Sequence, residues 1–201
     1  NGTITSERVE AIVDSRRNKL FSDTAQHTIS ALMEARKLFE DIDKKMNGLT
    51  ISSVKDGFKS YINDLYTIDL HYRHYFREAN LSESNNLLGE ITSMVERVYT
   101  NSYLIELAKK WQVQVDNMNS WGIEGVCSQR NFYNNHVRPF ITKEKRIFVI
   151  VSDAMRYETM KELQQRIAQE NRMECNIKDV LLGVLPSYTQ LGMASLLPHQ
   201  K

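Results

Sequence analysis

The sequence predicts an α + α/β protein. A helical bundle occupies residues 1–140, and 141–201 form the truncated start of a parallel-sheet domain, a βαβ unit with the turn that leaves its second strand. Three observations predict it. Apolar residues recur at about the 3.6-residue helical period as far as Phe140, and no proline precedes Pro139. Ile147-Phe-Val-Ile-Val151 is then a continuous apolar run, rich in β-branched types, as in a strand covered on both faces. A second run, Val180-Leu-Leu-Gly-Val-Leu185, follows an amphipathic stretch over Glu158–Glu170, and strand, helix, strand at these lengths makes a right-handed parallel unit.

Each element has its own local reasons. Thr5 or Ser6 is placed to cap a first helix carrying Val9, Ile12, Val13 and Leu20. Asp23 caps a second, with Ile29, Leu32, Phe39, Ile42 and Met46 on its apolar side, and Gly48 stands where a left-handed residue ends the last turn. Ser52 or Ser53 opens a third, whose apolar side runs from Val54 through Leu65 and Ile68 to Tyr72, Tyr75 and Phe76. A fourth extends from about Ser84 to Val115. A shorter helix around Val126–Val137 ends at Pro139, whose ring disfavours helix in the residue before it. Long helices with short breaks and no fixed repeat favour an antiparallel bundle over a solenoid. In the last segment, Met160, Leu163, Ile167 and Ala168 face inward from the connecting helix. Two strands do not make a stable doubly covered sheet alone. The rest of the sheet therefore lies in removed chain, or the bundle or a second copy (a homodimer through the partial sheet) covers the open faces.

Composition excludes more than it selects. An apolar share of 41% with 25% charged residues is that of a folded protein, and a net charge of +1 supplies no global field for nucleic acid or anionic membrane. Cys127 and Cys175 lie far apart without CxxC spacing, which fits reduced thiols in a cytoplasmic protein. No apolar run reaches the ~18 residues that span a bilayer, so no membrane partner is expected. A start at Asn1 rather than Met points to a piece of a longer protein.

The residues able to do chemistry sit at the two strand exits. Asp153 follows the first run; alone it reads as a turn former or helix cap sooner than as a metal ligand at the carboxyl edge of a parallel sheet. Thr189 and Ser187 follow the second run. Either can cap the short helix that begins there, or act as an alcohol nucleophile favoured by the helix's positive end. That field alone does not ionise a threonine, so metal coordination has to supply most of the activation.

Taken together, Val149-Ile-Val-Ser-Asp153-Ala-Met-Arg156-Tyr-Glu158 and Leu182-Gly-Val-Leu-Pro-Ser-Tyr-Thr-Gln-Leu-Gly-Met-Ala-Ser-Leu-Leu-Pro-His199 resemble the PglZ family, a branch of the alkaline phosphatase superfamily found in BREX phage-defence systems. The motifs cover about a quarter of the chain. The resemblance implies that Asp153 matches the superfamily's first metal-binding aspartate, and Thr189 its hydroxyl nucleophile and metal contact, with Ser187 the weaker candidate. It implies two divalent ions, zinc above all, held with later Asp and His ligands. Those later ligands are not in this chain, and His199 lies too close to Thr189 to replace them. Arg156 reads as a solvated first-turn arginine sooner than a phosphate contact. The implied parent is a metal-dependent phosphoester hydrolase, acting on nucleic acid or another ester alongside other BREX proteins, and this fragment is expected to be inactive alone. The alternative is a non-catalytic scaffold that docks BREX proteins through its helices. A third reading, nucleic-acid binding, rests on the interleaved His71, Tyr72, Arg73, His74, Tyr75, Phe76 and Arg77. Core packing with a basic edge accounts for that stretch better.

Overall fold

The structure, a computed structural model, describes residues 23–82, 85–170, 172–175 and 179–198; the expected first helix, Ile177 and His199 lie outside them. The chain divides between Asp116 and Asn117 into two compact units.

The first unit is built from α1 (Asp23–Met46), α2 (Val54–Ser60), α3 (Tyr66–Leu81), α4 (Asn85–Val98) and α5 (Ile105–Asp116). A π-helical turn at Tyr61–Leu65 joins α2 to α3 and another at Tyr99–Leu104 joins α4 to α5, so the unit holds three long rods. The expected punctuation is present. Gly48 takes the left-handed conformation (φ 73°) just after α1. Ser53 caps α2 by accepting the Asp56 N–H at 3.1 Å, while the Asp56 carboxylate accepts the Ser52 N–H at 2.9 Å.

Side-chain pairs fix the direction of each rod. His27 lies 2.7 Å from Glu78, His71 lies 2.7 Å from Glu34, and Lys45 lies 3.1 Å from Asp64, so α1 runs antiparallel to α3. Tyr75 bonds Thr92 at 2.7 Å, Tyr99 donates to Asp69 at 2.6 Å, and Gly57 sits against Trp111. The third rod is therefore antiparallel to the second over its whole length.

Ala31, Ala35, Leu38 and Ile42 line the buried side of α1 against Leu65, Ile68, Tyr75, Val95, Tyr99 and Tyr103. Leu32, expected on the apolar side of that helix, is 39% exposed. Alternating three- and four-residue steps from Ala31 define the seam, and the small alanines let the rods approach closely. In the His71–Arg77 stretch, Tyr75 is fully buried and Tyr72 stacks on Tyr99 with ring centroids 3.7 Å apart, while Arg77 pairs with Glu78. Those aromatic rings are committed to packing.

Two polar clusters, one buried and one half-buried, hold the rods in register. Asp69 accepts from Tyr61 at 2.7 Å, Tyr99 at 2.6 Å and Tyr103 at 3.4 Å. Glu34 bonds His71 and lies 3.7 Å from His74. Burial alone would raise the Glu34 pKa, but those histidine contacts and the charge on Lys37 outweigh it and hold the carboxyl well below the usual range.

The second unit is less regular. It holds a short 3₁₀ turn (Gln129–Asn131), a π-helical turn (Tyr133–Val137), α6 (Arg138–Thr142), α7 (Tyr157–Ala168) and α8 (Thr189–Leu196). The expected helix end at Pro139 is corrected: the π-helical turn Tyr133–Val137 continues directly into α6, and Pro139 lies within this helical stretch, which runs on to Thr142. Residues 117–140, counted above with the helices, hydrogen-bond within this unit through Trp121 and Gln129.

The expected βαβ unit is not shown. Among the described residues there is no strand, and the β contact is a single parallel bridge between Ser128 and Leu182. The run 147–151 has no regular secondary structure and no strand partner among the described residues, with Phe148 80% and Ile150 93% exposed. A parallel strand takes its hydrogen bonds and side-chain cover from neighbours distant in sequence, which local pattern cannot supply. No described helix is long and apolar enough to cross a membrane.

Candidate functional site

Asp153 sits in an exposed turn just after the run 147–151. Its Oδ1 accepts the N–H of Ala154 at 2.9 Å, and Ala154 is left-handed at φ 54°, a conformation that residues with a Cβ seldom adopt. The chain thus turns sharply after the carboxylate and enters α7 at Tyr157, with Arg156 as the N-cap residue. Arg156 Nε lies 3.2 Å from Oε1 of Glu158, whose side chain is fully buried while that of Arg156 is 55% exposed.

The hydroxyl turn is fastened at both ends. Leu182 donates its N–H to the Cys127 carbonyl at 2.8 Å, and Gln129 returns its N–H to the Leu182 carbonyl at 2.9 Å. Trp121 Nε1 donates to the Gly183 carbonyl at 2.7 Å. Leu182 and Val184 are buried, and the Leu185–Pro186 peptide bond is cis. Tyr188 is the N-cap residue of α8 without a side-chain cap, so neither Ser187 nor Thr189 serves as the cap that one sequence reading offered. Thr189 is the first residue of the helix, and both hydroxyl residues are exposed.

Each expected site residue therefore stands at an exposed element boundary, Asp153 in its turn and Thr189 at the open end of α8. A carboxylate and an alcohol are oxygen donors of the kind divalent cations accept. They are fewer than the three or four protein ligands a zinc site uses. Among the described residues no group of three or more His, Cys, Asp or Glu could hold a metal ion. Gln129, Trp121 and Glu158, which sequence reasoning did not select, are the side chains that anchor the two boundaries. Glu158 closes the first of the two motifs, but no motif marks Gln129 or Trp121, and all three act through contacts made only on folding.

Residues 132–201 match the family model described as the BREX system PglZ alkaline phosphatase-like domain. The chain is 38% identical over 191 residues to the alkaline phosphatase-like protein PglZ of Bacillus cereus (strain H3081.97), covering 94% of this chain and 22% of that protein. It is 35% identical over 209 residues to the alkaline phosphatase-like protein BrxZ of Escherichia coli O9:H4 (strain HS), covering 99% of this chain and 24% of the relative. The chain belongs to the PglZ family. It spans roughly a quarter of the length of these relatives. No solved structure matches it.

Proposed function

We propose that the chain is part of a metal-dependent phosphoester hydrolase of a BREX antiphage system, with the phosphatase-like part opening at about residue 141. Asp153 is a metal ligand, and Thr189 is the nucleophile and a further metal contact, with Ser187 the second candidate. The observation that carries the reading is the family match over 132–201, in which a carboxylate and a helix-opening alcohol each follow an apolar run.

This chain's own part in the chemistry is placement. Asp153 presents an oxygen donor from a tight turn, and α8 offers Thr189 at its positive end, where developing negative charge on a phosphoryl group is favoured. Bound divalent ions, zinc being the first expectation, would supply the acidity that makes the alcohol a nucleophile. The later Asp and His ligands, and the strands that pair with 147–151 and 180–185, come from the remainder of the longer protein. Other BREX proteins are its partners.

The test is turnover of aryl phosphomonoesters and diesters by full-length protein, with and without added divalent metal. Asp153→Ala is expected to lose both bound metal and activity, and Thr189→Ala to lose activity while keeping metal bound through the other ligands. Full metal-dependent turnover in both variants would end the hydrolase reading.

A further inference from the structure

We propose that Gln129 is a positioning residue for the hydroxyl turn, setting where Thr189 presents its oxygen. The inference deepens the function proposed above and rests on Thr189 having the role assigned there. Gln129 lies just before the matched domain segment, which begins at residue 132.

The geometry is a clamp made by one side chain. Gln129 Nε2 donates to the Gly192 carbonyl at 3.0 Å, and its Oε1 faces the Val184 N–H at 3.4 Å. Between those anchor points run residues 185–191, which contain both Ser187 and Thr189. The main chain of Gln129 is fixed as well, by the bridge to Leu182, and Trp121 holds Gly183 next to it. Position 129 is thus tied to the residues entering the turn, and its side chain extends the tie across to the helix that leaves it.

The chemistry selects a carboxamide. One anchor is a carbonyl that needs a donor, and the other is an N–H that needs an acceptor. Glutamate has the same shape but two acceptors, so it would repel the Gly192 carbonyl while keeping the Val184 contact. Alanine would lose both. An attacking oxygen displaced by about 1 Å costs on the order of 10²-fold in rate, which is how loosening this turn would be felt.

The experiment uses full-length protein and an aryl phosphate ester. Gln129→Glu and Gln129→Ala are expected to lower kcat by about 10–100-fold with KM and bound metal nearly unchanged. Hydrogen exchange is expected to accelerate across 184–192 and to stay unchanged in α1–α5. Exchange and metal content separate loosened positioning from general misfolding, and the isosteric Gln129→Glu carries the test if Gln129→Ala does not accumulate. If Thr189→Ala is inactive but Gln129→Glu retains kcat within twofold, the positioning role is overturned and the reading of Thr189 stands. If Thr189→Ala retains turnover, the reading of Thr189 falls and the positioning role falls with it. Unchanged exchange across 184–192 in Gln129→Glu overturns the clamp whatever the kinetics.

Discussion

Asp69 should be the most sensitive single position in the first unit. Its carboxylate is 4% exposed and takes short hydrogen bonds from Tyr61 and Tyr99, with Tyr103 at 3.4 Å as a weaker third. Each phenol comes from one of the π-helical turns, so this residue joins the two irregular points of the bundle. Burial, and then the charge of Asp69, push the Tyr103 phenol far above its ordinary range, so that ring remains a proton donor to the carboxylate. A hydrogen bond to a charged group contributes roughly 1.5–3 kcal/mol, so losing the two short ones in Asp69→Ala should cost about 3–5 kcal/mol. Asp69→Asn still accepts through one oxygen and should lose about half of that. Trp111 becomes the sole tryptophan of the 201-residue chain once Trp121 is changed to Phe, and it reports on this unit alone. At a urea slope of about 1.5–2 kcal/mol/M, the Trp111 midpoint should fall by roughly 2 M in Asp69→Ala. A loss under about 1 kcal/mol would mean that the phenols find other partners and that the carboxylate does not hold the rods together.

Three further outcomes follow from particular contacts. The Glu34 carboxyl is held below its unfolded value of about 4.3, so its stabilisation is present above about pH 5 and is lost as the pH falls further. The Trp111 midpoint should accordingly drop between about pH 5 and pH 3, and Glu34→Gln should flatten that limb. Gly57→Ala would gain up to about 1 kcal/mol of helix propensity at an ordinary site. Here the added Cβ would meet Ile51 Cγ2 and Trp111 Cε3 at 2.9 Å, so a net loss of about 1–3 kcal/mol is expected, and a stabilised variant would show the packing to be looser. Ile150→Asp should leave the 201-residue chain within about 0.5 kcal/mol, since Ile150 is 93% exposed, yet it should impair accumulation of full-length protein. A dimer of the short chain that this change dissociates would instead assign the cover to a second copy.

The parts of the fold that sequence made legible are those governed by neighbours along the chain. The cap at Ser53, the left-handed Gly48 and the extent of the long rods depend on residues within a few positions of each other, and the structure has them. The π-helical turns carry no mark in the sequence: Tyr61 reads as an ordinary member of an apolar stripe, and Tyr99 and Tyr103 fall outside the stripe of large apolar residues on their helix. Their hydroxyls converge on Asp69, a residue that a helical pattern treats as one more polar position. Ala31 and Ala35 were overlooked for a related reason, since a search for large apolar residues passes over the small ones that line a close seam. At the candidate site the apolar runs and their terminal Asp153 and Thr189 are visible in sequence, whereas the Gln129 clamp spans 63 positions to reach Gly192 and exists only once the chain is folded.

The contrast between the two units bears on how the longer protein is organised. The first unit satisfies itself: its buried Asp69 and half-buried Glu34 find partners within it, and its apolar stripes face one another. The second unit fixes the residues around Thr189 closely while leaving Phe148 and Ile150 in solvent. Fully burying such side chains is worth about 1.5–3 kcal/mol each, a gain that this exposed run forgoes. A run of this composition is a poor surface sequence and an economical strand between two others. The helical unit makes its buried contacts internally, and on the function proposed above the Asp153 turn would acquire its final setting when strands of the longer protein pair alongside 147–151. Metal affinity and strand pairing would then be linked: a change that blocks pairing, such as Ile150→Asp, should weaken metal binding at Asp153 without touching any ligand.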